Sequence, residues 1–167
     1  MRLPWTLTLA CLPWPRVYVV HAGDSRCYLH RGGKLFRMTT DHTVAQRAVD
    51  DGVLTEAQAA ASGLTNTLWN CIGAGTKDVT PDLYHTTFQY GDELLLCTDG
   101  LSRRLTDDQI QRILTNATTP ENATSALIDA ANAAGGNDNI TVIVARAQPS
   151  TDPNATPPDG VAMTTSV

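Results

Sequence analysis

Three aspartates stand where carboxylates can do chemistry. Asp24 lies in Gly23-Asp24-Ser25-Arg26, after the apolar run Val17–Val20; Asp99 lies in Thr98-Asp99-Gly100, after Leu94–Cys97; Asp138 lies in Asn137-Asp138-Asn139, before Ile140–Val144. Each apolar run reads as a core strand, so each acid sits at a strand end beside Gly or Asn. A strand is a rigid mount that forces the carboxylate to the rim of the core, and Gly lets the backbone turn or approach a ligand. If the three strands are neighbours, the carboxylates converge. Converging carboxylates repel unless a cation neutralises them, and an oxygen-only site suits Mg2+ or Mn2+. Two such ions could activate a bridging water and clamp a phosphoryl group for in-line attack. Taken singly, each acid reads first as a turn or cap residue, Asp-Gly being a common turn dipeptide.

Other polar residues offer weaker patterns. Arg26 is expected to pair with Asp24 or to orient its turn. The four histidines show no ligand spacing; His30 and His85 read as surface residues, and His42 as packing near a helix start. Ser25 and Ser102 lack the G-x-S-x-G setting of a strained nucleophile. Cys11, Cys27, Cys71 and Cys97 have no C-x-x-C spacing and lie in apolar runs, so they read as buried free thiols in a reducing, cytoplasmic compartment.

The elements that must position these residues follow from periodicity and capping. Strands are expected at Trp5–Leu12, at Val17–Val20 (continuously apolar, hence buried on both faces), at Cys27–His30 and, after a turn at Arg31-Gly-Gly33, at Lys34–Met38. Helices are expected from His42 to Asp50 and from Thr55 to about Ala61. Further strands are Leu83–Phe88, Leu94–Cys97 and Ile140–Val144. Between the last two lie a helix opened by the capping box Thr106-Asp-Asp-Gln109 and another begun at Pro120. Strands early and late with helix pairs between them make an α+β fold, residues 1–146, and the Pro-, Thr- and Asp-rich residues 147–167 read as a disordered tail.

Composition excludes several classes. The net charge of −5 and the lack of a basic stripe argue against a nucleic-acid partner. No apolar run approaches the ~20 residues that span a bilayer, so no membrane partner is expected. The stretch Met1–Leu12 is interrupted by Pro4 and alternates at Trp5-Thr-Leu-Thr-Leu9, which favours a strand over a signal peptide or a lipid-modified Cys11.

Four motifs occur in order: Gly23-Asp-Ser-Arg26, Thr40-Asp-His42, Cys97-Thr-Asp-Gly-Leu101 and Gly136-Asn-Asp-Asn-Ile-Thr-Val142. Together, from about Trp5 to Arg146, they resemble the C-terminal motifs of the PPM family (metal-dependent protein serine/threonine phosphatases, type 2C) in its bacterial form, covering a little more than half of that family's catalytic domain. The resemblance implies an α-β-β-α sandwich, here incomplete, with antiparallel sheets flanked by helices and a binuclear Mg2+ or Mn2+ centre. It implies that Asp99 and Asp138 are ligands of one core metal, that Asp24 with Asp99 holds a weaker third metal, and that Gly100 and Asn139 support them. Residues 42–66 would be a flap beside the site. The substrate would be a phosphorylated protein made by a serine/threonine kinase, attacked by metal-bound water.

Two departures qualify the resemblance. The family's N-terminal motifs, an Arg that grips phosphate, a Glu-Asp pair and an Asp-Gly whose Asp bridges two metals, have no counterpart here, so the chain reads as N-terminally truncated. Arg103 stands where family members often carry an acid that helps the third metal. The expectation is therefore phosphoserine/phosphothreonine hydrolysis by family, with this chain inactive alone. The alternative is a catalytically inactive remnant or pseudophosphatase acting as a binding module.

Overall fold

The computed structural model describes residues 4–73, 78–136, 138–149 and 161–166, the last of these as backbone. The chain runs β1 (Leu7–Cys11), β2 (Arg16–Ala22), β3 (Arg26–Arg31), β4 (Lys34–Arg37), α1 (Val44–Asp50), α2 (Glu56–Ala61), a 3-10 turn (Leu64–Asn66), β5 (Asp82–Thr87), β6 (Glu93–Cys97), α3 (Asp99–Ser102), α4 (Asp107–Asn116), α5 (Pro120–Ala133), β7 (Val142–Pro149) and β8 (Val161–Ser166). Two antiparallel sheets form, a small one ordered β1-β2-β5 and a larger one ordered β4-β3-β6-β7-β8.

Alternation along the strands builds the layers. Val17 and Val19 of β2 face Cys27 and Leu29 of β3, Leu94 of β6, and Ala145 and Ala147 of β7, with Phe88 closing the space between the sheets. The opposite face of the larger sheet presents Tyr28, Leu95, Val142 and Val144 to Ile110 and Leu114 of α4 and Leu127 of α5. The helices start where their caps dictate: Thr43 accepts from the Gln46 amide, and Thr55 with Gln58 and Thr106 with Gln109 form capping boxes. The α+β sandwich with antiparallel sheets flanked by helices is as expected.

Several details differ from the sequence reading. In β2, Val17 and Val19 are fully buried but Tyr18 and Val20 are half-buried. The reason lies in the register: Leu9, Val20 and Leu83 are directly opposite across the small sheet, and Leu7, Leu9 and Leu83 on that outer face are 42, 53 and 66% exposed, so no described helix covers it. His30 is buried, not superficial; its ring meets Glu93 at 2.8 Å and Thr115 at 3.1 Å, and Arg146 holds the other Glu93 oxygen at 2.6 Å. Cys27, Cys71 and Cys97 are buried, whereas Cys11 is exposed.

The tail expectation is corrected at both ends. β7 continues to Pro149, and β8 pairs with it in the register Val144↔Ser166 to Pro149↔Val161. An open strand edge offers unpaired backbone groups, and a Val- and Thr-containing segment is competent to meet them. Residues 150–160 and 167, also part of that expectation, lie outside the described residues.

Candidate metal centre

Asp99 opens α3 directly where β6 ends. Thr98 caps that helix but spends its hydroxyl elsewhere: Oγ1 donates to the Asn139 carbonyl at 3.1 Å and accepts from the Thr141 amide at 3.0 Å. The Thr98 amide donates in turn to the Thr141 carbonyl at 3.1 Å. Gly100 then passes so close to this loop that a Cβ would lie 2.4 Å from the Asn139 carbonyl oxygen. Only glycine allows that approach. The loop carrying Asp138 is thereby locked to the helix start carrying Asp99, and the Asn139 amide donates to Asp138 Oδ1 at 2.8 Å. Hence β7 begins at Val142 rather than Ile140: the residues before it serve the lock.

Asp24 is positioned by a different device. Gly23 precedes it with φ +122°, and a Cβ there would lie 2.4 Å from the Thr6 side chain. The Gly23 amide donates to His42 Nδ1 at 3.2 Å, and the His42 amide donates to the Gly23 carbonyl at 2.7 Å. Asn70 also donates to His42 Nδ1, at 2.9 Å, so Nε2 carries the proton and donates to Asp82 at 3.1 Å. The His21 ring lies 4.8 Å from His42, hydrogen-bonds the Thr8 hydroxyl through Nδ1 at 2.9 Å and donates to the Thr40 carbonyl from Nε2. Burial first, then the neighbouring His42, pushes the His21 imidazole below its ordinary pKa.

The acids do not all gather. Asp24 and Asp99 meet through Arg103, whose Nη2 lies 3.0 Å from Asp24 Oδ2 and 2.9 Å from Asp99 Oδ2, while its Nη1 donates to Asn66 Oδ1. Burial raises the Asp24 carboxyl above its ordinary range and Asp99 raises it further, with Arg103 pulling the other way. Asp138 is exposed on the adjoining loop. Among the described residues no group of three or more His, Cys, Asp or Glu side chains is placed to hold a metal. Tested as a cation site, the arrangement divides. Asp99 and Asp138 are oxygen-only donors on two locked loops, which is the donor chemistry that Mg2+ or Mn2+ takes. The space between Asp24 and Asp99 does not suit a cation, because the Arg103 guanidinium already fills it.

Asp24, Asp99 and Arg103 line a cleft of about 540 Å3 together with Gln46, Glu56 and Thr65, which lie in the segment expected to be a flap. Arg26, expected to pair with Asp24, binds Asp41 instead, at 2.8 and 3.1 Å. Arg37 adds a charge pair to Asp41 at 2.5 Å. Arg26 also donates to the Tyr28 hydroxyl, which donates to Asp107 at 3.0 Å. Asp41 thus neutralises two cations beside the cleft, a role that its place before His42 does not disclose. The Ser25 hydroxyl meets the Thr6 hydroxyl at 3.0 Å, and among the described residues no histidine base reaches it.

A family model described as Protein phosphatase 2C matches residues 6–48. The serine/threonine protein phosphatase PstP of Mycobacterium tuberculosis is 39% identical over 142 residues, 84% of this chain and 27% of that protein. Among solved structures, the S. agalactiae serine/threonine phosphatase matches with a TM-score of 0.79 and 34% identity, over 83% of this chain and 57% of that one. The catalytic domain of PstP in complex with two manganese ions matches with a TM-score of 0.70 and 35% identity, over 83% and 56%. The chain therefore spans about a quarter of that curated relative and little more than half of each solved chain. Members of this family use Mg2+ or Mn2+. Over most of its length, in sequence and in fold, the chain is similar to the metal-dependent protein serine/threonine phosphatases of the PPM family, type 2C.

Proposed function

We propose that this chain supplies metal-holding loops of a bacterial PPM-type phosphatase that hydrolyses phosphoserine and phosphothreonine in proteins. The observation that carries the reading is the lock between Thr98, Gly100 and Asn139, which fixes the loops of Asp99 and Asp138 against each other. Asp99 and Asp138 would hold one Mg2+ or Mn2+. A bound divalent ion lowers the pKa of a water and neutralises phosphoryl charge. The chain's own part is to fix the carboxylates and to bound the substrate cleft with the flap. A serine/threonine kinase is the class of enzyme that must supply such a substrate. Cys27 and Cys97, buried and unbridged, suit a reducing, cytoplasmic setting, and among the described residues no helix is long and apolar enough to cross a membrane.

A second reading, a phosphoprotein-binding module without turnover, is favoured by one observation: Arg103 occupies both Asp24 and Asp99. Calorimetric titration with Mn2+, run beside phosphate release from p-nitrophenyl phosphate, tests the proposal. The 167-residue chain should bind Mn2+, lose it in Asp99→Asn and show negligible turnover alone, because one pair of carboxylates does not build the two-metal site that activates a water. A chain that binds no Mn2+ overturns the reading. Robust turnover, abolished by Asp99→Asn, overturns the inactivity and with it the binding-module alternative.

A further inference from the structure

Arg103 is the residue of the cleft that the phosphatase reading leaves unexplained. It lies one helical turn beyond Asp99 and, besides that start of its own helix, reaches two segments remote in sequence: the β2–β3 turn at Asp24 and the 3-10 turn at Asn66. We propose that the Arg103 guanidinium is a built-in cation that stands in for a divalent metal between Asp24 and Asp99, and that it ties the flap to this rim through Asn66.

Charge supplies the first half of the argument. Two carboxylates drawn to one point need a counter-charge, and among the described residues Arg103 is the cation in contact with both. A guanidinium remains charged at any physiological pH, so this neutralisation is permanent, unlike that of an exchangeable ion. A divalent metal entering the same space would have to displace it.

Geometry supplies the second half. The planar fork presents several N–H groups in fixed directions. Nη2 serves the two carboxylates, which leaves Nη1 for the Asn66 amide oxygen. Asn66 ends the turn that packs on α1 and α2, so the contact holds the flap side of the cleft against the acid rim.

The test compares wild type, Arg103→Ser and Arg103→Lys in the full 167-residue chain, by Mn2+ titration and by amide hydrogen exchange. Arg103→Ser should bind one Mn2+ more than wild type, and exchange across residues 44–66 should rise several-fold. Arg103→Lys keeps the charge and loses the fork, so it should gain no Mn2+ yet show the faster exchange. An unchanged Mn2+ stoichiometry in Arg103→Ser overturns the stand-in; unchanged exchange in both variants overturns the tie. The inference shares Asp99 with the proposed metal pair, but wild-type binding reports on that pair, whereas the difference between variant and wild type reports on Arg103.

Discussion

The two sheets hold their share of the site by different means. The larger sheet is covered on both faces, by the small sheet and by α4 and α5, and it presents Asp99 and Asp138 through apolar packing and a backbone lock. Among the described residues the small sheet is covered on one face, and it presents Asp24 through a polar network of His21, His42, Asn70 and Asp82. Apolar packing resists pH and salt; a network that includes His21, whose imidazole burial pushes below its ordinary pKa, responds to pH. The difference teaches that the Asp99–Asp138 pair is the firm part of the rim and that Asp24 is the conditional part.

The sharpest way to break this comparison is to cut each face. Leu127→Ala, at a fully buried position under the larger sheet, should cost about 2–5 kcal/mol in urea melts. Leu83→Ala on the open outer face of the small sheet should change stability by less than about 0.5 kcal/mol. Comparable losses would mean that the outer face is covered in solution. Next in size is Gly100→Ala, whose Cβ would press on the Asn139 backbone; it should cost about 1–3 kcal/mol and weaken Mn2+ binding with it. Thr98→Val removes a hydroxyl that serves Asn139 and Thr141, with an expected loss of about 1–2 kcal/mol in the same melts.

The smallest effect belongs to the polar side. His21 has a lowered pKa when folded, so the unfolded chain binds more protons and stability rises with pH. Its contribution should be complete above the ordinary histidine value near 6.5 and be lost as pH falls from there through the lowered value. Thermal melts of wild type against His21→Gln should show that slope reduced in the variant. An identical slope would remove His21 from the account.

Much of this was legible in the sequence because it is local. Alternating valines and leucines, capping boxes at Thr55 and Thr106, and acids at strand ends all announce themselves within a few residues. The ordered motifs added the family and its metals. What escaped depends on chain segments far apart. Arg103 reaches across 79 residues to Asp24, and His30 across 63 to Glu93; nothing near either residue names its partner. Asp41 serves Arg26 and Arg37, partners that its neighbours in the chain do not announce. The strand β8 was hidden because its pairing depends on an open neighbour, not on its own pattern.

We propose that Asp99 and Asp138 hold a divalent cation, whereas Asp24 is bound to Arg103. Calorimetric Mn2+ titration of Asp138→Asn beside Asp24→Asn tests it most directly. The account predicts that Asp138→Asn loses Mn2+ binding and that Asp24→Asn keeps it. Binding retained in Asp138→Asn, or lost equally in both, would contradict it.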